Sequence, residues 1–378
     1  MDDSFRRILS PHEPGFFLAC YLERCHFHIA RNDRSFYAEI LQTSDIDRLL
    51  QNEQLPAAFI NVVRRGKKIP ISGWSRMTRS ARGQCRLAIP EKVLDFYSDG
   101  ATLILNRADH SIPSLNLLCR RLAQESGFQI HANIYLTPPG SAGFRRHADQ
   151  HEVFVLQIAG SKTWSIEPRG SRADLVIREG DLLYLPRGLA HSAQSQTDDS
   201  IHVTIGLTPA YECDLLGEIA AIAREGPDLK SPMPPLFADE GLKREFASSF
   251  SRKLTGFIKE ISVSSVADRR MEALVASQTR GWPDRLSDLR RLQRMTIQAR
   301  VQRRAGILAT IKKDGRFLSV CFADKRVLVP AFLEDAVSLI TSGREFEISQ
   351  LDGFVTDAGR IKLAAEFIKG GFLEIVDL

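Results

Sequence analysis

The sequence predicts an α+β chain with a β-barrel core, then a helical region, then a tail of mixed helices and strands. Three observations carry this: alternating and continuous apolar runs crowd into residues 130–205, apolar residues recur at three- and four-residue steps after 210, and short strand and helix patterns alternate after 306. A chain of 378 residues exceeds one core of usual size. The expected division is a barrel domain over 1–209, a helical region over 210–305 and a C-terminal domain over 306–378.

Composition is that of an ordinary globular protein, with 43% hydrophobic and 26% charged residues. No apolar run approaches the ~20 residues a membrane-spanning helix requires. The opening Met1-Asp2-Asp3-Ser4 lacks the basic and apolar regions of a signal peptide, so a cytoplasmic location is expected and a membrane partner is not. Net charge is +5, which permits a nucleic-acid or acidic partner without requiring one. The six cysteines have no framework spacing and suit reduced thiols. Cys20, Cys25, His26 and His28 invite a zinc reading, but no second matched pair follows them.

In chain order, Pro11 and Pro14 precede a helix through Phe16-Phe17-Leu18 that continues over Tyr21-Leu22-Glu23-Arg24. Ser44 and Asp47 look like a cap and an acidic first turn opening a helix around residues 46–50. Ile60, Val62 and Val63 suggest a strand, and the Ser-, Arg- and Gly-rich residues 73–83 a mobile loop near the barrel mouth. A short helix over 90–97, a buried strand over 102–105 and an amphipathic helix over 114–125 lead into the core. There, residues 153–158, Ala159-Gly160 and residues 162–166 read as a hairpin, which would set Gln157 across from Lys162 with both facing one side. Gly180-Asp181, the buried run Leu182-Leu183-Tyr184-Leu185 and the turn at Pro186-Arg187-Gly188 deliver His191.

Beyond residue 210, Leu215, Leu216, Ile219 and Ile222, and later Leu286, Leu289, Leu292 and Met295, mark apolar helix faces. The Arg-rich residues 285–304 read as a solvated helix face tempered by Asp284 and Asp288, with nucleic-acid binding as the alternative. Strands over 317–320 and 327–329, helices over 332–340 and 360–369, and a last strand over 372–376 complete the chain.

The chemistry gathers at His147, Asp149 and His191. In extended chain, positions i and i+2 face the same way, so His147 and Asp149 can point into a barrel together. Two imidazoles and one carboxylate fill one face of an octahedron, as non-haem ferrous sites do, and leave the other positions free. A lone His-x-Asp is also common in solvated loops, and spacing leaves Asp149 with His151 as a rival pair. Lys162 by itself would pass for a surface lysine, and Asn133 and Tyr135 for packing residues.

Several ordered motifs resemble the JmjC/cupin-type ribosomal oxygenases. They are ANIYLTPPG from Ala132, Gly143-Phe144 before His147-x-Asp149, Phe154-Val155-Leu156-Gln157, Gly160-Ser161-Lys162-x-Trp164, GDLLYLPRG from Gly180 with His191, and SIHVT from Ser200. The opening FRRILSP from Phe5 is similar too. The resemblance implies a double-stranded β-helix (jelly-roll/cupin, JmjC-type) core, a helical dimerisation region giving a homodimer, and a C-terminal winged helix. It implies Fe(II) on His147, Asp149 and His191, with 2-oxoglutarate and dioxygen as co-substrates. Lys162 matches the basic residue that anchors the distal carboxylate, Asn133 and Thr204 lie near the same ligand, and Tyr135, Gln157, Arg145 and His202 lie near the substrate.

The leading expectation is hydroxylation of a side chain in a protein or peptide, either a ribosomal protein or a peptide precursor. N-methyl-lysine demethylation uses the same ligands, and a non-catalytic barrel with a nucleic-acid-binding winged helix is a third reading. An aromatic cage for a methylated cation is thinly supplied, because strand alternation turns some of Tyr135, Phe144, Phe154, Trp164 and Tyr184 away from the metal.

Overall fold

A computed structural model describes residues 4–80, 83–227, 229–233, 235, 240–278 and 281–378. It divides into two compact units, Met1–Pro209 and Ala210–Leu378.

The first unit opens with α1 (Ser4–Leu9), α2 (Pro14–Cys20), β1 (Phe27–Ile29) and α3 (Thr43–Leu50). A hairpin of β2 (Ile60–Arg64) and β3 (Lys67–Lys68), a second of β4 (Ser75–Ser80) and β5 (Gly83–Ala88), α4 (Pro90–Ser98), β6 (Thr102–Leu105) and α5 (Pro113–Ser126) follow. The barrel strands are β7 (Gln129–Thr137), β8 (Glu152–Ala159), β9 (Ser161–Ile166), β10 (Ala173–Arg178), β11 (Leu182–Leu185), β12 (His191–Ser195) and β13 (Ser200–Thr208).

These strands form a large sheet in the order β1-β11-β8-β13-β7-β6-β2-β3 and a small one in the order β10-β9-β12. Val153, Val155, Leu183 and Leu185 from the large sheet cluster with Trp164, Ile166 and Ile177 from the small one. Their alternate neighbours Phe154, Leu156, Leu182 and Tyr184 face the other way, into a core with Phe5, Ile8 and Phe17. Both faces of β8 and β11 are therefore covered, which is why these strands read as continuous apolar runs.

The sequence misplaced several elements. Tyr21 caps α2, so the helix stops short of residues 21–24. The capping box of α3 is formed by Gln42 and Asp45, placing Ser44 inside the helix. Residues 75–80 and 83–88 pair as strands in place of the expected loop, while residues 81 and 82 lie outside the described residues. The expected 153–166 hairpin does not form: β8 pairs with β11 and β13, and β9 with β10 and β12. At Gly160 the chain crosses from one sheet to the other with φ +63°, where a Cβ would sit 1.9 Å from the Asp199 carbonyl oxygen. Gln157 is accordingly not opposite Lys162; its register partner is His202.

The second unit begins with α6 (Glu212–Glu225), α7 (Glu240–Glu260), α8 (Val263–Ser277) and α9 (Arg285–Arg291). Arg269 and Arg270 of α8 pair with Glu225 and Asp214 of α6 at 2.8 and 3.5 Å. Then come β14 (Arg300–Arg303), an antiparallel sheet of β15 (Thr310–Asp314), β16 (Phe317–Phe322) and β17 (Lys325–Pro330), α10 (Glu334–Thr341), β18 (Phe346–Glu347), α11 (Asp357–Gly370) and β19 (Leu373–Asp377). Because Met295, Ala299 and Val301 share a core with Val320, Phe367 and Ile375, the C-terminal fold starts before the expected boundary at 306.

The Arg-rich stretch is not one solvated helix face. Arg285 and Arg291 donate to the Ile368 and Ile375 carbonyls. Arg304, 3% exposed, pairs with Asp288 and, at 3.2 Å, with Glu374. Asp288 also accepts from the Ile375 amide at 3.1 Å. Asp288→Ala leaves a buried guanidinium short of its main counter-charge and is expected to cost the second unit about 3–5 kcal/mol. Urea unfolding followed by hydrogen exchange at residues 300–303 and 373–377 reads this; unchanged protection there would remove the pair from the stability of the unit.

Candidate active site

The two sheets place the expected ligands together. Asp149 Oδ1 lies 3.8 Å from His147 Nε2, its Oδ2 lies 3.6 Å from His191 Nε2, and the three donor groups fall within 4.8 Å of one another. A pair of backbone hydrogen bonds, His147 N to His191 O at 3.0 Å and His191 N to His147 O at 2.8 Å, joins the ligand loop to β12. The bridge ties together ligands 44 positions apart in the chain.

The rings are also held in one protonation pattern. His147 Nδ1 lies 2.9 Å from the Arg145 carbonyl oxygen and His191 Nδ1 2.9 Å from that of Leu189. A carbonyl only accepts, so each Nδ1 carries a proton and Nε2 is the ring nitrogen turned toward Asp149. Burial, the first cause, together with the neighbouring His147 lowers the pKa of His191 and favours its neutral form, against its bond to Leu189 and the charge of Asp149. Two imidazole Nε2 atoms and one carboxylate are a donor set that fits a divalent metal with positions left for other ligands. His151 is not part of the group: its Nδ1 lies 3.0 Å from the Glu152 carbonyl oxygen and its ring meets His131 edge to face.

The cavity beside the donors, about 40 Å³, is lined by Tyr135, Phe144, Lys162, Trp164, His202 and Thr204 among others. Lys162 is 1% exposed. Its Nζ donates to Thr137 Oγ1 at 2.8 Å and lies 3.5 Å from His202 Nδ1. Among the described residues no carboxylate pairs with it, and burial pushes its pKa down from 10.5 to about 7. Burial, reinforced by Lys162, also holds His202 neutral, so its Nδ1 can accept from the ammonium. Tyr135 stacks on His202 with ring centres 4.6 Å apart and planes 9° apart. Burial first, then Asp149, pushes the Tyr135 phenol up to about 12, against a hydrogen bond with Thr204. The Trp164 indole N–H is buried without a partner among the described residues.

Of the residues expected near ligand or substrate, Tyr135, His202, Thr204 and Lys162 line the cavity, and Gln157, Asn133 and Arg145 do not. The Gln157 amide donates to the Ala159 carbonyl and Ser200 Oγ, both at 2.8 Å. Asn133 Oδ1 accepts from the Arg107 amide. Arg145 contributes its backbone carbonyl to His147 and leaves its side chain exposed. Thr137 was not foreseen. Strand alternation from Tyr135 was the available signal, since two residues on, the same face reaches Lys162.

Residues 109–215 match the model of the JmjC domain. Ribosomal oxygenase 1 of Gallus gallus is 30% identical over 223 residues, covering 53% of this chain and 36% of that protein. The bifunctional lysine-specific demethylase and histidyl-hydroxylase NO66 of Culex quinquefasciatus is 28% identical over 213 residues, 50% of this chain and 32% of that one. The chain thus spans about a third of the length of these relatives. In fold it is similar to YcfD, a ribosomal oxygenase from Escherichia coli solved in complex with cobalt and 2-oxoglutarate. That likeness has a TM-score of 0.58 at 13% identity over 97% of this chain and 99% of that one. The motif order, the matched domain and the two-sheet barrel agree: residues 109–215 are similar to a JmjC domain, and about half of the chain is similar in sequence to ribosomal oxygenase 1.

Proposed function

We propose that the chain is an Fe(II)- and 2-oxoglutarate-dependent oxygenase that hydroxylates a side-chain carbon of a protein or peptide. The observation that carries this is the buried, uncompensated Lys162 in the same cavity as the His147–Asp149–His191 donors. An ammonium out of water needs an anion, and a dicarboxylate with one end at the donor set and the other at Lys162 answers both requirements.

Ferrous iron with 2-oxoglutarate and dioxygen supplies oxidation of a C–H bond, with succinate and carbon dioxide formed alongside. The chain's own part is arrangement. His147, Asp149 and His191 would hold the metal; Lys162, hydrogen-bonded to Thr137 and close to His202, would take the distal carboxylate; Tyr135 and Thr204 wall the space beside them. Rigid placement of one C–H bond next to the metal would contribute to rate and decide which bond is oxidised.

Demethylation of N-methyl-lysine is the alternative, favoured by the three rings Tyr135, Phe144 and Trp164 in the cavity. A methylammonium cage needs open ring faces, and one face of Tyr135 is occupied by His202. Gln157 and Arg145, expected near the substrate, are not among the cavity's lining residues; the stacked Tyr135–His202 pair supports the hydroxylase reading. A non-catalytic barrel would have no use for three aligned donors and a buried cation together.

We also read α6 to α8 as a homodimerisation region, since no residue of α6 or α7 is buried and Leu216, Phe250 and Ile258 are 65, 42 and 50% exposed. The sheet and helices after residue 300 suit a winged helix, for which a nucleic-acid partner is permitted and not required. No described helix is long and apolar enough to cross a membrane, which is compatible with the cytoplasmic reading.

Replacing His147, Asp149 or His191 with Ala should abolish succinate formation from 2-oxoglutarate, while His151→Ala retains it; turnover by His191→Ala with loss in His151→Ala would refute the ligand set. Proteins from cells with and without the gene should differ by one added oxygen on a target polypeptide. Stoichiometric formaldehyde with loss of a methyl group would establish the demethylase reading in its place.

A further inference from the structure

Beside the cavity mouth stands a basic hairpin that neither the metal nor the co-substrate uses. Strands β2 and β3 pair Arg64 with Lys67, so the turn is the two residues Arg65 and Gly66. Both have positive φ, +49° and +74°, the geometry of a tight type I′ hairpin turn. Lys68 completes the run.

This tip is fastened to the loop that carries the metal ligands. Gly66 forms a parallel bridge with Phe144, and the Arg145 side chain lies so close over Gly66 that a Cβ there would meet its Cγ at 2.4 Å. Lys68 Nζ is 5.7 Å from the centre of the Phe144 ring, and that ring is 5.8 Å from the ring of His147. Phe144 itself lines the cavity.

Charge around the tip is unbalanced. Arg64 has Asp99 at 3.8 Å, and Arg146 pairs with Glu167. Arg65, Lys67, Lys68 and Arg145 are all exposed, and among the described residues none has a carboxylate partner. Like charges gathered on one rigid turn repel one another, and an anion docking there relieves that repulsion and steers its own approach.

We propose that Arg65, Lys67 and Lys68, with Arg145, dock an acidic segment of the polypeptide whose side chain enters the cavity. The inference rests on the oxygenase reading in one respect, that the entering molecule is a polypeptide. The spacings put the Lys68 ammonium within ~12 Å of the His147 ring, which extended chain covers in about three or four residues at roughly 3.3 Å each. The recognised feature is therefore Asp or Glu about three or four positions from the oxidised residue. A nucleic-acid strand is disfavoured because the anion must belong to the same chain as the residue in the narrow cavity.

The test is binding, so it does not depend on turnover. The full chain, loaded with Mn(II) and 2-oxoglutarate and immobilised, is equilibrated with a degenerate dodecapeptide library, and the retained peptides are sequenced by mass spectrometry. The expected result is about fivefold enrichment of Asp and Glu over Lys and Arg, the scale of two or three exposed ion pairs, fading as salt is raised. In Arg65→Glu/Lys67→Glu the preference should vanish or reverse, and Arg65→Lys/Lys67→Arg should restore it, with thermal unfolding confirming that both variants fold. No acidic enrichment in the wild-type chain overturns the proposal. So does a single-stranded RNA dodecamer that binds more tightly than the retained peptides and loses affinity in the same charge reversal. Either failure leaves the oxygenase reading standing, since that is judged by succinate and product mass.

Discussion

Lys162 sets the terms for the cavity. A buried ammonium held, among the described residues, by a threonine hydroxyl and a neutral imidazole lies well above its energy in water, and its lowered pKa expresses that cost. The sign follows from linkage. Between about 7 and 10.5 the unfolded chain keeps a proton that the folded site gives up, so stability from this group rises with pH through that window. Below about 7 the full penalty is present. A bound carboxylate removes the penalty by restoring the charged form, so the fold holds in reserve part of the free energy that co-substrate binding releases.

The neighbouring groups follow from that arrangement. His202 has to stay neutral to accept from Lys162, and burial together with the lysine's charge keeps it so. A neutral His202 can lie flat against Tyr135, whose phenol is itself kept protonated by burial. On the other side, backbone carbonyls of Arg145 and Leu189 fix the two ligand rings, so the metal-facing nitrogens are set before any metal arrives. Anion-seeking and cation-seeking ends thus share one small space.

The sequence made the centre legible because the strands enforce it. Tyr135, Lys162, His202 and Thr204 are on inward strand faces, whereas His147 and Asp149, expected on extended strand, lie on a loop between β7 and β8 that a bridge to His191 holds in place. What it hid was pairing. Residues 153–166 look like a hairpin locally, and only the tertiary crossing at Gly160, where the Asp199 carbonyl leaves no room for a Cβ, sends β9 into the other sheet. Gln157 was misassigned by that error. Arg145 was misassigned because its contribution is a carbonyl, which carries no side-chain signal. Arg285, Arg291 and Arg304 looked solvated since key partners lie 70 or more residues away, at Glu374 and in the carbonyls of α11 and β19.

The central claim is that Lys162 is a buried cation waiting for a carboxylate. Lysine-labelled protein loaded with Zn(II) allows the Lys162 Cε chemical shift to be titrated with and without 2-oxoglutarate. The account predicts a midpoint near 7 in its absence, raised toward the ordinary 10.5 when the dicarboxylate is bound. A midpoint near the ordinary 10.5 in both states would mean that Lys162 is neither buried in this way nor the anchor, and the account would fail.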